Sequence, residues 1–333
     1  MEYRKKIIII YLKTHKITPT MDKESLLRKV RHIEIKSRSL SNHIFSGEYH
    51  SAFKGKGMSF SEVREYQYGD DIKSIDWNVT ARFNQPYIKI FEEERELTLM
   101  LLIDISPSTF FGTAEQTKNE RIAEICAILA FSATANNDKV GAIFFSDSIK
   151  KFVHPNKGRS HVLRIIYDLL AFAESEQIQP PKPPNFWQTM WKKPTESSLP
   201  NSTNLHLAID LLNNAIKKRC TAFILSDFFC NNYEKNLQLA AQKHDIVGIQ
   251  LVDQYEKQLP QIGIAPMYDS ETNTWQWIDT QNSKNQRAYQ QHYQQKNDYC
   301  TNTFLRSNAD LITITTHQPY ITQLIHFFKQ RGK

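Results

Sequence analysis

The run Leu97-Thr-Leu-Met-Leu-Leu-Ile-Asp104 constrains this chain more than any other stretch. Apart from Thr98 it is apolar up to its final residue, so no alternation separates an inner from an outer face. Such a run reads as a strand buried on both faces, at the centre of a parallel sheet covered by helices. It ends abruptly on a carboxylate. Open parallel sheets bind their ligands beyond the carboxyl ends of the strands, so Asp104 falls where chemistry is expected.

The downstream segments extend the same pattern. Helical spacing over 117–136 puts Ile122, Ile125, Ile128 and Leu129 on one side, and a strand over Val140–Phe145 and a helix over Ser160–Phe172 follow. The six prolines of Glu174–Ser202 favour a loop or insertion. Beyond them the pattern predicts a helix over 204–218, a strand over 220–226, a helix over 234–243 and a strand over 246–252. This alternation predicts an α/β fold, a doubly wound and mostly parallel sheet. Residues 261–279 predict a hairpin with Trp275 and Trp277 on one face. A helix over 284–306, a strand over Leu311–Thr315 and a helix over 319–331 come after it. Upstream, Leu26, Leu27, Val30, Ile33 and Leu40 recur at helical spacing within 22–43, and 47–95 read as short strands and loops that include Tyr87–Phe91.

Four parts are therefore expected. Residues 1–20 are an extension adding little to the fold, and 21–95 form a smaller helix/β segment packed on the sheet. Residues 96–255 form the α/β domain with the Pro-rich insertion 174–202, and 256–333 complete the fold. The 333 residues are 40% hydrophobic and 23% charged, which suits a large buried core and excludes wholesale disorder. Cys126, Cys220, Cys230 and Cys300 form no C-x-x-C pair, which argues against a zinc ribbon or a dithiol redox site. No apolar run reaches the ~18–20 residues of a membrane span. The run Ile7–Leu12 is shorter than a signal-peptide core, so a cytoplasmic location is expected. The net charge of +7 is weighted toward residues 1–57. It reads as a solvated helix face, with nucleic-acid binding as the sharper alternative.

Three strand ends carry oxygen donors. The first is Asp104-Ile105-Ser106-Pro107-Ser108, a D-x-S-x-S loop whose alternation aims one carboxylate and two hydroxyls at a common point. The second is Thr203, at the start of the helix over 204–218. The third is Asp227, closing the strand over 220–226. D-x-S-x-S alone occurs by chance in roughly one chain in ten. A Thr and an Asp at matching depth in the same sheet make the set specific. These hard donors predict Mg2+, with Mn2+ and Ca2+ as the other candidates, and exclude thiolate- or imidazole-bound metals. The competing reading has Asp104, Ser108 and Thr203 capping helices and Asp227 serving a turn.

These residues resemble the metal-ion-dependent adhesion site of von Willebrand factor A domains, over roughly 95–255. The resemblance implies that Ser106, Ser108 and in some members Thr203 bind the ion directly, with Asp104 and Asp227 often acting through water. An acidic side chain of a partner would complete the shell. The preceding block runs Gly55-Lys-Gly-Met-Ser-Phe-Ser-Glu-Val-Arg-Glu-Tyr66, then Tyr68-Gly-Asp-Asp71, Ile75-Asp-Trp77 and Ala81-Arg82. It resembles the bacterial domain-of-unknown-function family 58, whose genes commonly neighbour a MoxR-type AAA+ ATPase. Read from the residues themselves, Arg64, Asp70, Asp71, Asp76 and Arg82 form either a buried ion network or a partner-binding face, with Trp77 and Tyr66 packed beneath. They could equally tie the small segment onto the sheet.

The expected function is a non-enzymatic, metal-dependent protein–protein adaptor. Its expected partners are a MoxR-type ATPase and a client bearing an acidic residue, with no catalytic residues and no other cofactor. A Mg2+-dependent hydrolase is the alternative. Against it, the sequence places no third carboxylate, Lys or His near the strand ends to act as a base. No nucleotide-binding G-x-x-x-x-G-K-[ST] loop is present.

Overall fold

The computed structural model describes residues 8–10, 23–40, 58–93, 97–110, 117–175, 203–269 and 274–331. Residues 176–202 of the Pro-rich insertion and residues Gly55, Lys56 and Gly57 lie outside the described residues. The elements run β1 (Ile8–Ile10), α1 (Lys23–Leu40), β2 (Met58–Glu65), α2 (Trp77–Phe83), β3 (Tyr87–Glu93), β4 (Thr98–Asp104) and α3 (Lys118–Ala135). They continue with β5 (Lys139–Phe145), β6 (Ile149–Asn156), α4 (Arg159–Ser175), α5 (Leu205–Ala215), β7 (Thr221–Ser226), α6 (Glu234–Lys243) and β8 (Asp245–Val252). The last are α7 (Gln254–Lys257), β9 (Ile264–Asp269), β10 (Thr274–Asp279), α8 (Ser283–Arg306), β11 (Asp310–Thr315) and α9 (Tyr320–Arg331).

The central sheet has six strands in the order β11-β8-β7-β4-β5-β6. The apolar run is β4, hydrogen-bonded in parallel to β5 on one side and β7 on the other. All neighbours pair in parallel except β5 and β6. The mostly parallel α/β sheet expected from the sequence is thus present. The edge strand β6 is an addition, since the sequence reading left that stretch without a strand. Its segment Ile-Lys-Lys-Phe-Val-His-Pro-Asn carries a proline, which an edge strand tolerates because one side needs no donor.

Strand alternation divides the core in two. Leu99, Leu101 and Ile103 of β4 pack with α3, α4 and α9, whereas Met100 and Leu102 pack with α5, α6 and α8. Helix α3 is buried over most of its circumference, from Ile122 through Ala133, because α1 covers the side that the sheet does not. A helix apolar all round needs that second cover. Leu26, Val30 and Ile33 of α1 supply it, while Leu27 faces outward. Ion pairs flank the layer, among them Lys36–Glu124 at 2.7 Å and Arg159–Glu34 at 2.5 Å.

A second sheet has the order β1-β9-β10. Its β9-β10 hairpin is the one expected over 261–279, and Trp275 lies 5.1 Å from its cross-strand neighbour Tyr268, ring centre to ring centre. Residues 8–10 add a third strand to it, antiparallel to β9. No helix among the described residues is long and apolar enough to cross a membrane.

Helix α8 brings Phe304 close against Gly248 of β8. A Cβ built on Gly248 would lie 2.5 Å from Cζ of Phe304 and 2.8 Å from Cδ1 of Leu311. Gly248→Ala is expected to destabilise the protein by about 1–3 kcal/mol through overpacking. Urea unfolding measures it, and an unchanged midpoint would contradict this packing.

Candidate functional site

The site is built at the carboxyl ends of β4 and β7, which lie level because Ile103 pairs with Leu225. Asp104 is wholly buried. Its Oδ1 accepts the Ser106 backbone N–H at 2.8 Å and its Oδ2 accepts the Ser226 hydroxyl at 2.6 Å. The Ser226 oxygen in turn accepts the Phe228 N–H at 3.0 Å. Phe228 adopts φ +57°, a region costly for a bulky residue, and so turns the chain sharply just after Asp227.

After Asp104 the backbone enters a short 3-10 turn, Pro107–Phe110, pinned by the Thr109 hydroxyl on the Ser106 carbonyl at 2.7 Å. This turn brings the Ser106 and Ser108 hydroxyl oxygens to 3.0 Å from each other, both buried. Asp227 accepts the Phe229 N–H through Oδ1 at 3.1 Å. Its Oδ2 is buried and receives no hydrogen bond from the described residues. Thr203 is half-buried just before α5. The following Asn204 ties that turn to the end of β5, donating its N–H to the Ser146 carbonyl at 2.7 Å and its amide to the Asp147 carbonyl at 2.6 Å. Asn204, not Thr203, occupies the cap position of α5.

The structure therefore draws Asp104, Ser106, Ser108 and Asp227 into one buried cluster and sets Thr203 at the end of the neighbouring strand β5. Burial, and then the charge of Asp227, push the Asp104 carboxyl up to about 7 against the hydrogen bonds from Ser106 and Ser226. The cluster thus offers two carboxylates and the paired hydroxyls of Ser106 and Ser108, all hard oxygen donors, with one carboxylate oxygen lacking a hydrogen bond from the described residues. No group of three or more His, Cys, Asp or Glu is gathered to hold a metal among the described residues.

Three further residues complete the site, and the expectation that no third carboxylate or lysine lies near is corrected by two of them. Lys118, the first residue of α3, is wholly buried, with its ammonium 2.5 Å from Glu256 Oε1 and 3.5 Å from Asp227 Oδ2. Burial would lower its pKa, but Glu256 and Asp227 outweigh that and raise it, so Lys118 is a fixed cation and not a base. Glu256 Oε2 accepts the Asp253 N–H at 2.8 Å. The third is Ser226. Its signal was its place between an apolar strand and Asp227. For Lys118 the signal was only the T-x-x-E capping box that fixes the start of α3.

The partner-face candidates do local work. Arg64 pairs with Asp70 at 2.8 Å, and Asp70 also accepts the Gln67 N–H, closing a turn in which Gly69 has φ +109°. Asp71 accepts the Lys73 N–H, and Asp76 caps α2 through Asn78 and Val79. Arg82 is exposed. The expectation that Trp77 packs beneath these residues is corrected. Trp77 is 68% exposed and Ile88 is the buried apolar residue of this segment among the described side chains, because the two-stranded antiparallel sheet of β2 and β3 with one short helix has too little apolar surface to enclose a tryptophan.

Residues 62–299, well over half of the chain, match the family described as "Protein of unknown function DUF58". The chain belongs to the DUF58 family. Relatives of this DUF58 protein include uncharacterized proteins of Mycobacterium bovis and Mycobacterium tuberculosis. Each is 26% identical over 253 residues, covering 76% of this chain and 73% of the relative. An uncharacterized protein of Mycobacterium avium is 28% identical over 39% of this chain and 77% of its own. Among solved structures, the conserved hypothetical protein BatB of Bacteroides thetaiotaomicron aligns at 13% identity. That alignment covers 71% of this chain and 98% of BatB at a TM-score of 0.37, below the level at which a shared fold follows.

The Asp104 geometry makes stability depend on pH. Unfolded aspartate titrates near ~3.9, so the folded DUF58 chain holds this proton more tightly. The contribution is complete below that value and falls away as the pH rises toward 7. In chelator at pH 8, Asp104→Asn is expected to be more stable than the wild type by on the order of 1–3 kcal/mol, the gap narrowing toward pH 4. Thermal unfolding across that range checks it, and a less stable variant at pH 8 would contradict it.

Proposed function

We propose that this DUF58 protein is a non-enzymatic, metal-dependent adaptor for protein–protein interaction, with a von Willebrand factor A-like site that takes Mg2+. The observation that carries the reading is the buried Asp227 oxygen without a hydrogen-bond donor, set in one cluster with the Asp104 carboxylate and the paired hydroxyls of Ser106 and Ser108. Ser106 and Ser108 would hold the cation directly, with Asp104, Asp227 and Thr203 supporting it. When bound, the cation supplies a positive centre with a coordination position open to a carboxylate of a client.

The protein groups fit binding better than turnover. Asp104 is committed to two donors, and Lys118 is held as a cation by Glu256, so neither is poised to take a proton from water. A MoxR-type AAA+ ATPase as co-worker, in chaperone-like assembly or maturation of complexes in the cytoplasm, is supported by the resemblance of the block at 55–82. That block exposes Tyr68, Ile72 and Trp77, and Phe83 follows directly, a surface a large partner could cover.

Affinity capture from native lysate, run with Mg2+ and with EDTA, tests this. Wild-type protein is expected to retain a defined client or an AAA+ ATPase with Mg2+ alone, and Asp104→Ala, still folded, to retain neither. The same partners in EDTA, or undiminished capture by Asp104→Ala, would overturn the metal-dependent reading.

A further inference from the structure

Lys118 stands against a local rule. The capping box between Thr117 and Glu120 fixes it as the first residue of α3, at the positive end of the helix dipole, where a cation is disfavoured. Its side chain is also wholly buried, which costs free energy unless the charge is answered. Two carboxylates answer it unequally, Glu256 at 2.5 Å and Asp227 at 3.5 Å. Glu256 is itself anchored, because its second oxygen accepts the Asp253 N–H at the end of β8. Asp253 in turn accepts the Thr316 hydroxyl at 2.9 Å, at the end of β11. Asp227 Oδ2 has no hydrogen bond from the described residues, so the ammonium of Lys118 is what faces it.

We propose that Lys118 is a built-in competitor for the divalent cation, holding Asp227 when the cation is absent and resting on Glu256 alone when Asp227 is engaged. This rests on the metal reading above. A tethered positive charge this near a ligand carboxylate repels a divalent ion and lowers its affinity. A client carboxylate adds back the negative charge that Lys118 cancels, so cation and client bind cooperatively and the site loads when a client is at hand.

Titration of the full chain with Mn2+, following the free ion by electron paramagnetic resonance, tests the proposal, with Asp104→Asn marking binding at this site. Lys118→Met is expected to bind Mn2+ about tenfold or more tighter than the wild type, and Glu256→Gln several-fold weaker. In the Lys118→Met background, Glu256→Gln should change the affinity by less than about twofold, because Glu256 acts through the lysine. That double variant replaces the buried ion pair by a neutral pair and keeps the test open should the single Lys118→Met leave Glu256 too costly to fold. Tight binding by the double variant supports the proposal on its own, as does binding by Lys118→Met where the wild type binds too weakly to measure. Equal affinities in wild type and Lys118→Met, both abolished by Asp104→Asn, would overturn the competition and leave the cation site standing. Additive effects of the two substitutions would overturn the hand-over to Glu256. Absence of Mn2+ binding in every chain would remove the cation site, and the proposal with it.

Discussion

A carboxylate buried at the end of the central strand must be answered, and much of the structure at that end of the sheet is the answer. Asp104 lies where β4 emerges from under helices on both faces, out of reach of bulk water. One oxygen is met by the Ser106 N–H of its own loop and the other by the Ser226 hydroxyl of the neighbouring strand. The first bond starts the loop in which the Thr109-pinned 3-10 turn pairs the Ser106 and Ser108 hydroxyls, and the second links it to the turn carrying Asp227. The second carboxylate raises the cost again, since like charges in a poorly solvated crevice repel. Lys118 and Glu256 then enter as a further layer of compensation, and Asp253 and Thr316 carry it to β8 and β11. Four adjacent parallel strands thus end in one connected polar system.

The fold was legible wherever one element's own residues decide its state. The run up to Asp104 marked the centre of the sheet because a strand covered on both faces has no polar side. The spacing of Ile122, Ile125, Ile128 and Leu129 marked α3 for the corresponding reason. What escaped depended on partners. Strand β6 carries two lysines and a proline and becomes a strand by lying at an edge beside β5. Strand β1 is three residues that acquire a structure by pairing with β9. Trp77, expected to pack beneath the charged residues around it, lies in a segment that lacks the apolar surface to cover it.

The candidate site divides in the same way. Asp104, Ser106 and Ser108 are joined by one short loop, so their spacing announced them. Asp227 followed from its position at a strand end, whereas Thr203 is half-buried just before α5, whose cap is Asn204. Lys118 did not, since Thr-Lys-Asn-Glu-Arg reads as a solvated helix start and its partner Glu256 is 138 residues away. Composition gives no hint that this lysine is buried. Topology does, because α3 leads away from the loop after β4 and α7 follows β8, two strands further across the sheet.

The proposed function requires that this crevice take a cation whose direct ligands are the Ser106 and Ser108 hydroxyls, held beside Asp104 and Asp227. Anomalous diffraction from crystals equilibrated with Mn2+ tests it most directly. The account predicts one strong peak within bonding distance of the Ser106 and Ser108 hydroxyls, beside Asp104 and Asp227. A crevice without a peak at saturating Mn2+, or a peak held by other carboxylates instead, would contradict it.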